Sequence, residues 1–203
     1  KNSGVSAARN LGVKYSKSKY IYPLDSDDVI SPNTLEKLYN AMLANKGDII
    51  TCRVKYFGKE SGEMHLMPPT KYNMVQANCL VNAALFRKSD FYLSGGYKDT
   101  ELEDYDLWLN MLFNHNKKIY RVPEILFCYR IKDKIESRNA SCDTKYKDIT
   151  NVLYRQYPSI KTWLRINKLT KPFIKFSLAE TAERGRPARR PFLLRKIAQT
   201  TTT

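Results

Sequence analysis

Residues 20–28 read Tyr20-Ile21-Tyr22-Pro23-Leu24-Asp25-Ser26-Asp27-Asp28, an apolar run followed directly by three acids, and this is the most informative stretch of the chain. Its apolar first part predicts a short buried strand over residues 20–24. Three carboxylates follow at the carboxyl end of that strand, where ligands bind in open α/β sheets. Oxygen ligands of this kind suit Mg²⁺ or Mn²⁺. The alternative is a solvated turn before a helix, with Ser31-Pro32 as N-cap and first helical residue.

The pattern around this stretch is that of an α/β domain, because strands and helices alternate along it. A small-residue helix is expected to end near Gly12, and residues 58–62 read as a hairpin turn. We therefore expect a mixed, mostly parallel sheet flanked by helices. The other predicted elements are helices over 31–44 and 102–114, a short helix that opens at Ser89-Asp90, and strands over 48–57, 80–86, 118–122 and 125–130.

Length and composition favour one globular domain with a tail. The chain has 203 residues, of which 42% are hydrophobic and 12% aromatic, and no window approaches the length of a membrane-spanning helix. Four scattered cysteines and two histidines argue against a zinc site and indicate reduced cysteines in a cytosolic protein. Lys1 is not an initiator residue, so we expect a fragment or a processed product.

The positive charge lies in the rear of the chain. The net charge is +15, and residues 117–177 carry 15 Lys or Arg against 5 acids. We expect a basic amphipathic helical extension over 143–177 and a disordered tail over 178–203. The extension could lie on an anionic membrane surface, which we favour, or pack its apolar stripe on the sheet. Nucleic-acid binding is not expected, because no recognised module is present.

Two further clusters carry functional residue types. The first is Asn2-x-Gly4-x-Ser6-Ala7-Ala8-Arg9-Asn10-x-Gly12, and the second is Gly95-Gly96-Tyr97 followed by residues 101–108, Glu-Leu-Glu-Asp-Tyr-Asp-Leu-Trp. Acids in the first turn of a helix also favour its dipole, which is the simpler explanation of the second cluster. In this order and spacing, however, the clusters and the acidic stretch resemble the family 2 glycosyltransferases of the GT-A fold. The resemblance covers about residues 1–140, within a predicted domain over 1–142.

The resemblance implies a nucleotide-sugar donor and an inverting transfer of its sugar to a saccharide or lipid-linked acceptor, in the synthesis of a cell-surface polysaccharide. It implies that Asp27 and Asp25 hold Mn²⁺ or Mg²⁺ at the leaving diphosphate. The position of the family's general base matches Asp104, with Glu103 beside it. The resemblance also places Arg9 at the donor site. Arg130 and Arg138 match, with looser spacing, a basic residue that contacts the diphosphate in the family. The resemblance also implies that the protein lies in the cytoplasm, at the inner face of the membrane.

Three expectations limit or compete with this assignment. Family members begin with a strand and loop that bind the nucleotide base, and none of that precedes Lys1. The fragment could therefore be an inactive module that binds a membrane or a partner. A phosphatase of the haloacid dehalogenase type is a further alternative, because Asp25-Ser26-Asp27-Asp28-Val29 fits its first motif with Asp25 as nucleophile. Trp108 is expected to be a core residue rather than a platform for sugar.

Overall fold

The computed structural model describes residues 3–100, 102–132 and 156–166, with the side chain of Leu164 excepted. Helices and strands alternate through most of these residues, as the sequence predicts. The helices are α1 (Gly4–Tyr15), α2 (Thr34–Leu43), α3 (Lys71–Met74), α4 (Lys88–Leu93), α5 (Glu103–Phe113) and α6 (Pro158–Ile166). The strands are β1 (Tyr20–Ile21), β2 (Val29–Ile30), β3 (Ile49–Gly58), β4 (Gly62–Met64), β5 (Leu85–Arg87) and β6 (Ile119–Ile131).

The described strands form one mixed sheet in the order β1-β5-β3-β6-β2, and β4 pairs with residues 54–56 of β3. The centre is the parallel pair of β3 and β6, aligned from Ile49 opposite Ile119 to Gly58 opposite Ile131. β1 and β2 lie at the two ends of this order, so the acidic stretch between them connects opposite edges of the sheet.

The expected α/β architecture is confirmed, but the sheet is less parallel than predicted. Among the described strands the β3–β6 pair is parallel, and the four other pairs are antiparallel. The reason is that β5 lies between β1 and β3 and runs antiparallel to both, so these two strands are not parallel neighbours. β1 is also shorter than predicted, since Pro23 has no N–H to donate to a partner strand.

Two other strand predictions need correction. The strand expected over 80–86 is β5, which starts at Leu85, because the chain turns first: the Asn78 side chain accepts from Leu80 N. The two strands expected over 118–122 and 125–130 are the single strand β6. Its pairing with β3 shifts register opposite Cys52 and Arg53, and Pro123 lies at this irregularity.

Helix boundaries differ from expectation at two places. Gly12 does not end α1, because it does not adopt a positive φ and the helix continues to Tyr15. Ser31-Pro32 does not begin α2. Instead Ser31 O accepts from Thr34 N at 3.0 Å in a preceding turn, and the helix starts at Thr34.

Apolar side chains fill both faces of the sheet. One cluster contains Trp108, which is fully buried, and so confirms that residue as core. The other includes Leu38 and Met42 of α2 together with side chains of β3 and β6. These clusters fix α5 on one face and α2 on the other, and so set the positions from which the functional side chains project.

Helix α6 belongs to the basic rear of the chain, and its apolar residues pack on the domain. Tyr157 and Ile160 are each 1% exposed, and the Trp163 ring packs edge-on against Phe113 of α5 with 5.8 Å between centroids. Tyr157, Ile160 and Trp163 therefore pack on the domain, as the less favoured of the two expectations has it, whereas Ile166 at the end of the helix is 73% exposed. Contact with a membrane surface stays a prediction. In the described part of the chain, no helix is long and apolar enough to span a membrane.

Candidate functional site

The site forms where α1, the loop over residues 22–28 between β1 and β2 (the acidic loop) and the start of α5 meet, and Arg9 is the residue that joins them. Its Nη2 donates to both carboxylate oxygens of Asp25, at 2.8 and 2.9 Å. Its Nη1 donates to Glu103 Oε1 at 2.6 Å. The Arg9 and Glu103 side chains are only 13% and 8% exposed, whereas that of Asp25 is 41% exposed. The guanidinium thus connects two acids that lie 78 positions apart in the sequence.

Neighbouring groups hold the Arg9 guanidinium in place. The Tyr97 ring lies beneath it, with 5.5 Å from Cζ to the ring centroid. With its amide oxygen turned toward Arg9, Asn82 accepts from Nη2 and Nε at 3.2 Å, and its Nδ2 lies 2.9 Å from the Tyr97 hydroxyl. The carboxylates raise the pKa of Arg9, so this residue is a fixed cation.

Helix α1 is attached to the loop between α4 and α5 by side chains of its own motif. Asn10 Nδ2 donates to Tyr97 O at 2.7 Å, and Asn10 Oδ1 accepts from Tyr97 N at 3.0 Å. Ser6 Oγ donates to Lys98 O at 2.9 Å. The loop reaches this position through Gly95 and Gly96, which both have positive φ. The polar residues of the first motif therefore fix the loop that leads to the acids of α5.

The acidic loop is held by the end of β6. Asp28 Oδ1 accepts from Arg130 N at 2.9 Å, and Arg130 Nε donates to Asp27 O at 2.8 Å. Lys132 Nζ lies 2.7 Å from Asp27 Oδ2 and lowers the pKa of that carboxyl. Burial, with the charges of Asp27 and Asp25, raises the pKa of Asp28 to about 6. Two basic side chains and three carboxylates thus share one edge of the sheet.

Asp104 lies in the first turn of α5, next to Glu103. Its Oδ1 accepts from Tyr105 N at 2.7 Å, and its Oδ2 accepts from Asn78 Nδ2 at 3.3 Å. Burial is the main cause that raises the pKa of Asp104 to about 6, and the neighbouring Glu103 adds to it. A carboxylate with a pKa near 6 is ionised at neutral pH and is also a stronger base than an ordinary aspartate.

Asp27 is the acid of the loop that fits a divalent cation. Both oxygens of Asp25 are engaged by Arg9, whereas the Asp27 side chain is 35% exposed and its Oδ2 is paired with Lys132, whose side chain is 38% exposed. Within the described ranges, no three His, Cys, Asp or Glu side chains converge as a complete metal site. Mg²⁺ and Mn²⁺ commonly bind one or two carboxylates together with substrate phosphates, so a single accessible carboxylate is consistent with such an ion.

A cavity of about 280 Å³ opens beside the Arg9–Asp25 pair. Its walls include Tyr22, Pro23 and Leu24 of the acidic loop, together with Val13 and Ser16 at the end of α1 and after it. A larger cavity of about 640 Å³ lies between the β3–β4 hairpin and β6, and it shares no lining residue with the first. The smaller cavity is the one that adjoins the acids.

The structure brings together most of the predicted site residues, in two groups. Arg9, Asp25 and Glu103 are in direct contact, with Asp104 adjacent, and Arg130 contacts Asp27 at the other end of the loop. Arg138 lies outside the described residues, and nothing is added to its prediction. The sequence reasoning missed three side chains that contact these groups, and none of the three belongs to a readable local motif: Asn78, Asn82 and Lys132. It also gave no role to Asn10, which contacts the backbone of Tyr97.

Comparison with known proteins gives one family. A family model described as Glycosyl transferase family 2 matches residues 1–100, which include Arg9 and the acidic loop and end just before Glu103. The chain is 30% identical over 147 residues to the O-antigen biosynthesis glycosyltransferase WbnJ of Escherichia coli, covering 67% of this chain and 57% of that protein.

A second relative agrees with this result, and a solved structure shares the fold. The UDP-Glc:alpha-D-GlcNAc-diphosphoundecaprenol beta-1,3-glucosyltransferase WfgD of Escherichia coli is 28% identical over 149 residues, or 72% of this chain and 57% of that one. The chain thus spans little more than half the length of these relatives. S. aureus TarS 1-349, solved in complex with UDP-GlcNAc, shares the fold with a TM-score of 0.52 and 16% identity, over 64% of this chain and 40% of TarS.

Proposed function

The chain belongs to glycosyl transferase family 2, and from this membership we propose that it forms part of an enzyme that transfers a sugar from a nucleotide-sugar donor. The proposed acceptor is a hydroxyl group of a saccharide or of a lipid-linked saccharide, in the synthesis of a cell-surface polysaccharide. The names of the relatives support this choice, since one acts in O-antigen biosynthesis and another on a GlcNAc-diphosphoundecaprenol acceptor.

The observation that carries the proposal is the double contact of Arg9. It joins Asp25, on the loop that would face the donor, to Glu103, beside the carboxylate that would act on the acceptor. A transferase needs its two substrates at a fixed separation, because the rate of displacement depends on their alignment. The comparisons favour a transferase over a phosphatase, because the matching family model and the named relatives are glycosyltransferases.

At the donor end, the leaving nucleoside diphosphate carries negative charge that must be stabilised. Asp27 would hold Mn²⁺ or Mg²⁺, which when bound supplies Lewis-acid stabilisation of the diphosphate. Arg130 and Lys132 are the cations nearest to this position, and both already contact Asp27. A phosphate that draws Lys132 away from Asp27 would leave that carboxylate open to the metal ion. Asp25 is then a structural partner of Arg9 and not a metal ligand.

At the acceptor end, Asp104 would act as the general base. The acceptor oxygen forms a bond to the anomeric carbon while the bond from that carbon to the donor phosphate oxygen breaks, and the hydroxyl proton passes to Asp104. The nucleoside diphosphate leaves from the opposite side, so the configuration of the sugar is inverted. Glu103 would keep the position of Asp104 through its ion pair with Arg9.

A place at the inner face of the cytoplasmic membrane is part of the proposal. The net charge of +15 favours an anionic lipid surface, and a lipid-linked acceptor would have to be met there. The apolar stripe of α6 does not take part, because it is packed against α5. Contact with the membrane would thus be electrostatic and would weaken as the salt concentration rises.

Calorimetric titration tests the proposal. UDP-glucose, UDP-galactose, UDP-N-acetylglucosamine and GDP-mannose are titrated with and without Mn²⁺, into this chain and into the full-length protein that contains it. We expect binding that depends on Mn²⁺ and is lost in Asp27→Ala, while Asp99→Ala, which alters an exposed acid outside the site, binds as before. Hydrolysis of a phosphate ester by a protein that binds no nucleotide sugar would overturn the proposal.

A further inference from the structure

The carboxylate of Asp104 is held from two sides by donors of different origin. Tyr105 N, in its own helix, donates to Oδ1, and Asn78 Nδ2 donates to Oδ2. Asn78 belongs to the segment between α3 and β5 and lies 26 positions from Asp104 in the sequence. Each carboxylate oxygen accepts more than one hydrogen bond, so these contacts leave capacity to accept a proton. Together they set the plane of the carboxylate.

The amide of Asn78 is oriented by the backbone. Its Oδ1 accepts from Leu80 N at 3.2 Å, which turns Nδ2 toward Asp104. The side chain is therefore a fixed donor, and its distance of 3.3 Å to Asp104 Oδ2 depends on where the backbone of residues 78–80 lies.

The backbone of this segment is in turn held by Arg121 of β6. Nη2 of Arg121 donates to Cys79 O at 2.5 Å and to Met67 O at 2.9 Å, and Nη1 donates to Leu66 O at 2.9 Å. One planar guanidinium thus ties two distant loop segments to the central strand. Cys79 directly follows Asn78, so this tie acts on the residue that contacts Asp104.

We infer that Asn78 is a positioning residue for Asp104, and that Arg121 keeps it in place by fixing the backbone of its loop. The inference rests on the proposed function where it assigns Asp104 the role of general base. Asn78 acts through Asp104 and is not itself placed on a reacting atom. Neither residue belongs to the three motifs by which the sequence resembles the family.

The electrostatic consequence has a definite sign. A hydrogen bond to the ionised carboxylate stabilises it, so Asn78 lowers the pKa of Asp104 against the opposing effect of burial. The charged and titratable groups that face Asp104 are Glu103 on α5, Arg9 on α1 and Tyr97 in the loop before α5. None of these is altered by a change at position 78 or 121, so such a change isolates the contribution of the amide.

The test uses variants Asn78→Ala and Arg121→Met in the full-length protein, with Asn73→Ala as the matched control. Asn73 lies in the short helix α3 that precedes this segment, and its Nδ2 donates to Pro68 O at 2.8 Å, but it does not contact Asp104. The pKa of Asp104 is measured by NMR from its ¹³C-labelled carboxyl carbon, which needs neither donor nor acceptor. We expect Asn78→Ala to raise this pKa by about one unit, the effect of losing a hydrogen bond to a charged group.

Arg121→Met is expected to shift the same pKa upward by a smaller amount, and Asn73→Ala to leave it unchanged. If Arg121→Met does not fold, as judged by circular dichroism, Asn78→Ala decides alone. The second readout is nucleotide release as a function of pH, from whichever of the four nucleotide sugars the wild type turns over, and the acidic limb of kcat/KM should move upward with the NMR pKa. An unchanged Asp104 pKa in Asn78→Ala overturns the inference. Absence of nucleotide release from all four sugars by the wild type overturns the proposed function instead.

Discussion

Gly96 packs so closely against Asn10 that a Cβ on this glycine would lie 2.9 Å from Asn10 Oδ1. The same Oδ1 accepts from Tyr97 N, so it cannot move away without loss of that hydrogen bond. Contact between the first helix and the loop before α5 therefore requires the absence of a side chain at position 96.

Substitution of the two neighbouring glycines should separate backbone strain from steric contact. Gly95 has a φ of +78°, and a Cβ added there would have nothing within 4 Å. Gly95→Ala should therefore show backbone strain alone and cost about 1–2 kcal/mol in the free energy of unfolding. Gly96 has a φ of +73°, and a Cβ added there would also clash with Asn10. Gly96→Ala should therefore cost about 3 kcal/mol or more in the free energy of unfolding. Urea denaturation measures both. Equal losses would mean that the contact with Asn10 is relaxed without cost.

Replacing Arg9 by Met should destabilise the protein and weaken donor binding together. The change removes the hydrogen bonds to Glu103 and Asp25, of which the one to Glu103 is largely buried, and should cost about 2 kcal/mol of unfolding free energy. The control is Arg53→Met, which breaks the exposed Arg53–Glu63 pair of the β3–β4 hairpin and should change stability little. If the two variants melt alike, the Arg9 bridge does not hold the site together.

Asp104→Asn should lower the transfer rate and raise the free energy of unfolding, the latter only at higher pH. The fold raises the pKa of Asp104 to about 6, so the folded wild type loses stability as the pH rises from about 4, the unfolded value, to about 6. The variant lacks this loss and should be more stable by about 2–3 kcal/mol above pH 6, with no gain at pH 4. Thermal melting at a series of pH values checks this, and a gain confined to acidic pH would contradict it.

The same variant should lose about 10²-fold or more of its transfer rate, because it has no base. In the wild type, kcat/KM should fall as the pH drops below about 6. A variant that keeps its rate would assign the base elsewhere.

Tyr157→Phe should loosen α6. The Tyr157 hydroxyl donates to Asp106 Oδ1 at 2.7 Å, and Asp106 is 1% exposed, so the change should cost about 1–3 kcal/mol. Tyr92→Phe removes an exposed hydroxyl and serves as the control. Hydrogen exchange of the α6 amides should accelerate in Tyr157→Phe alone. Unchanged exchange would show that apolar contacts suffice to hold this helix.

The existence of the site was predictable from the sequence because its main residues lie in motifs that local patterns reveal. The acids at 25–28 follow an apolar run, and Glu103 and Asp104 open a helix with a clear apolar face. The family resemblance added that these acids, with Arg9, belong to one site. Neither source indicated that Arg9 would engage both oxygens of Asp25.

The contacts that the sequence did not reveal are set by strand register. Lys132 reaches Asp27 because Val29 pairs with Cys128 at the end of β6, and nothing local in either segment specifies that pairing. Asn78 likewise depends on a turn and on Arg121. The sequence also could not predict what the apolar side of α6 contacts. The apolar positions at 157, 160 and 163 suit a membrane surface or a protein core equally, and only tertiary packing decides between them.

The acidic loop joins β1 and β2, which lie at opposite ends of the strand order β1-β5-β3-β6-β2. Four strand-to-strand steps amount to about 19 Å in a flat sheet. The chain from Ile21 to Val29 can reach at most about 28 Å when fully extended, and the turn closed by Asp28 N and Asp25 O shortens it. The loop therefore crosses the sheet with few residues to spare. The length of the loop, as well as its carboxylates, is therefore needed to form the site. Deletion of a residue between 22 and 28 would displace β1 or β2 from its partner strand.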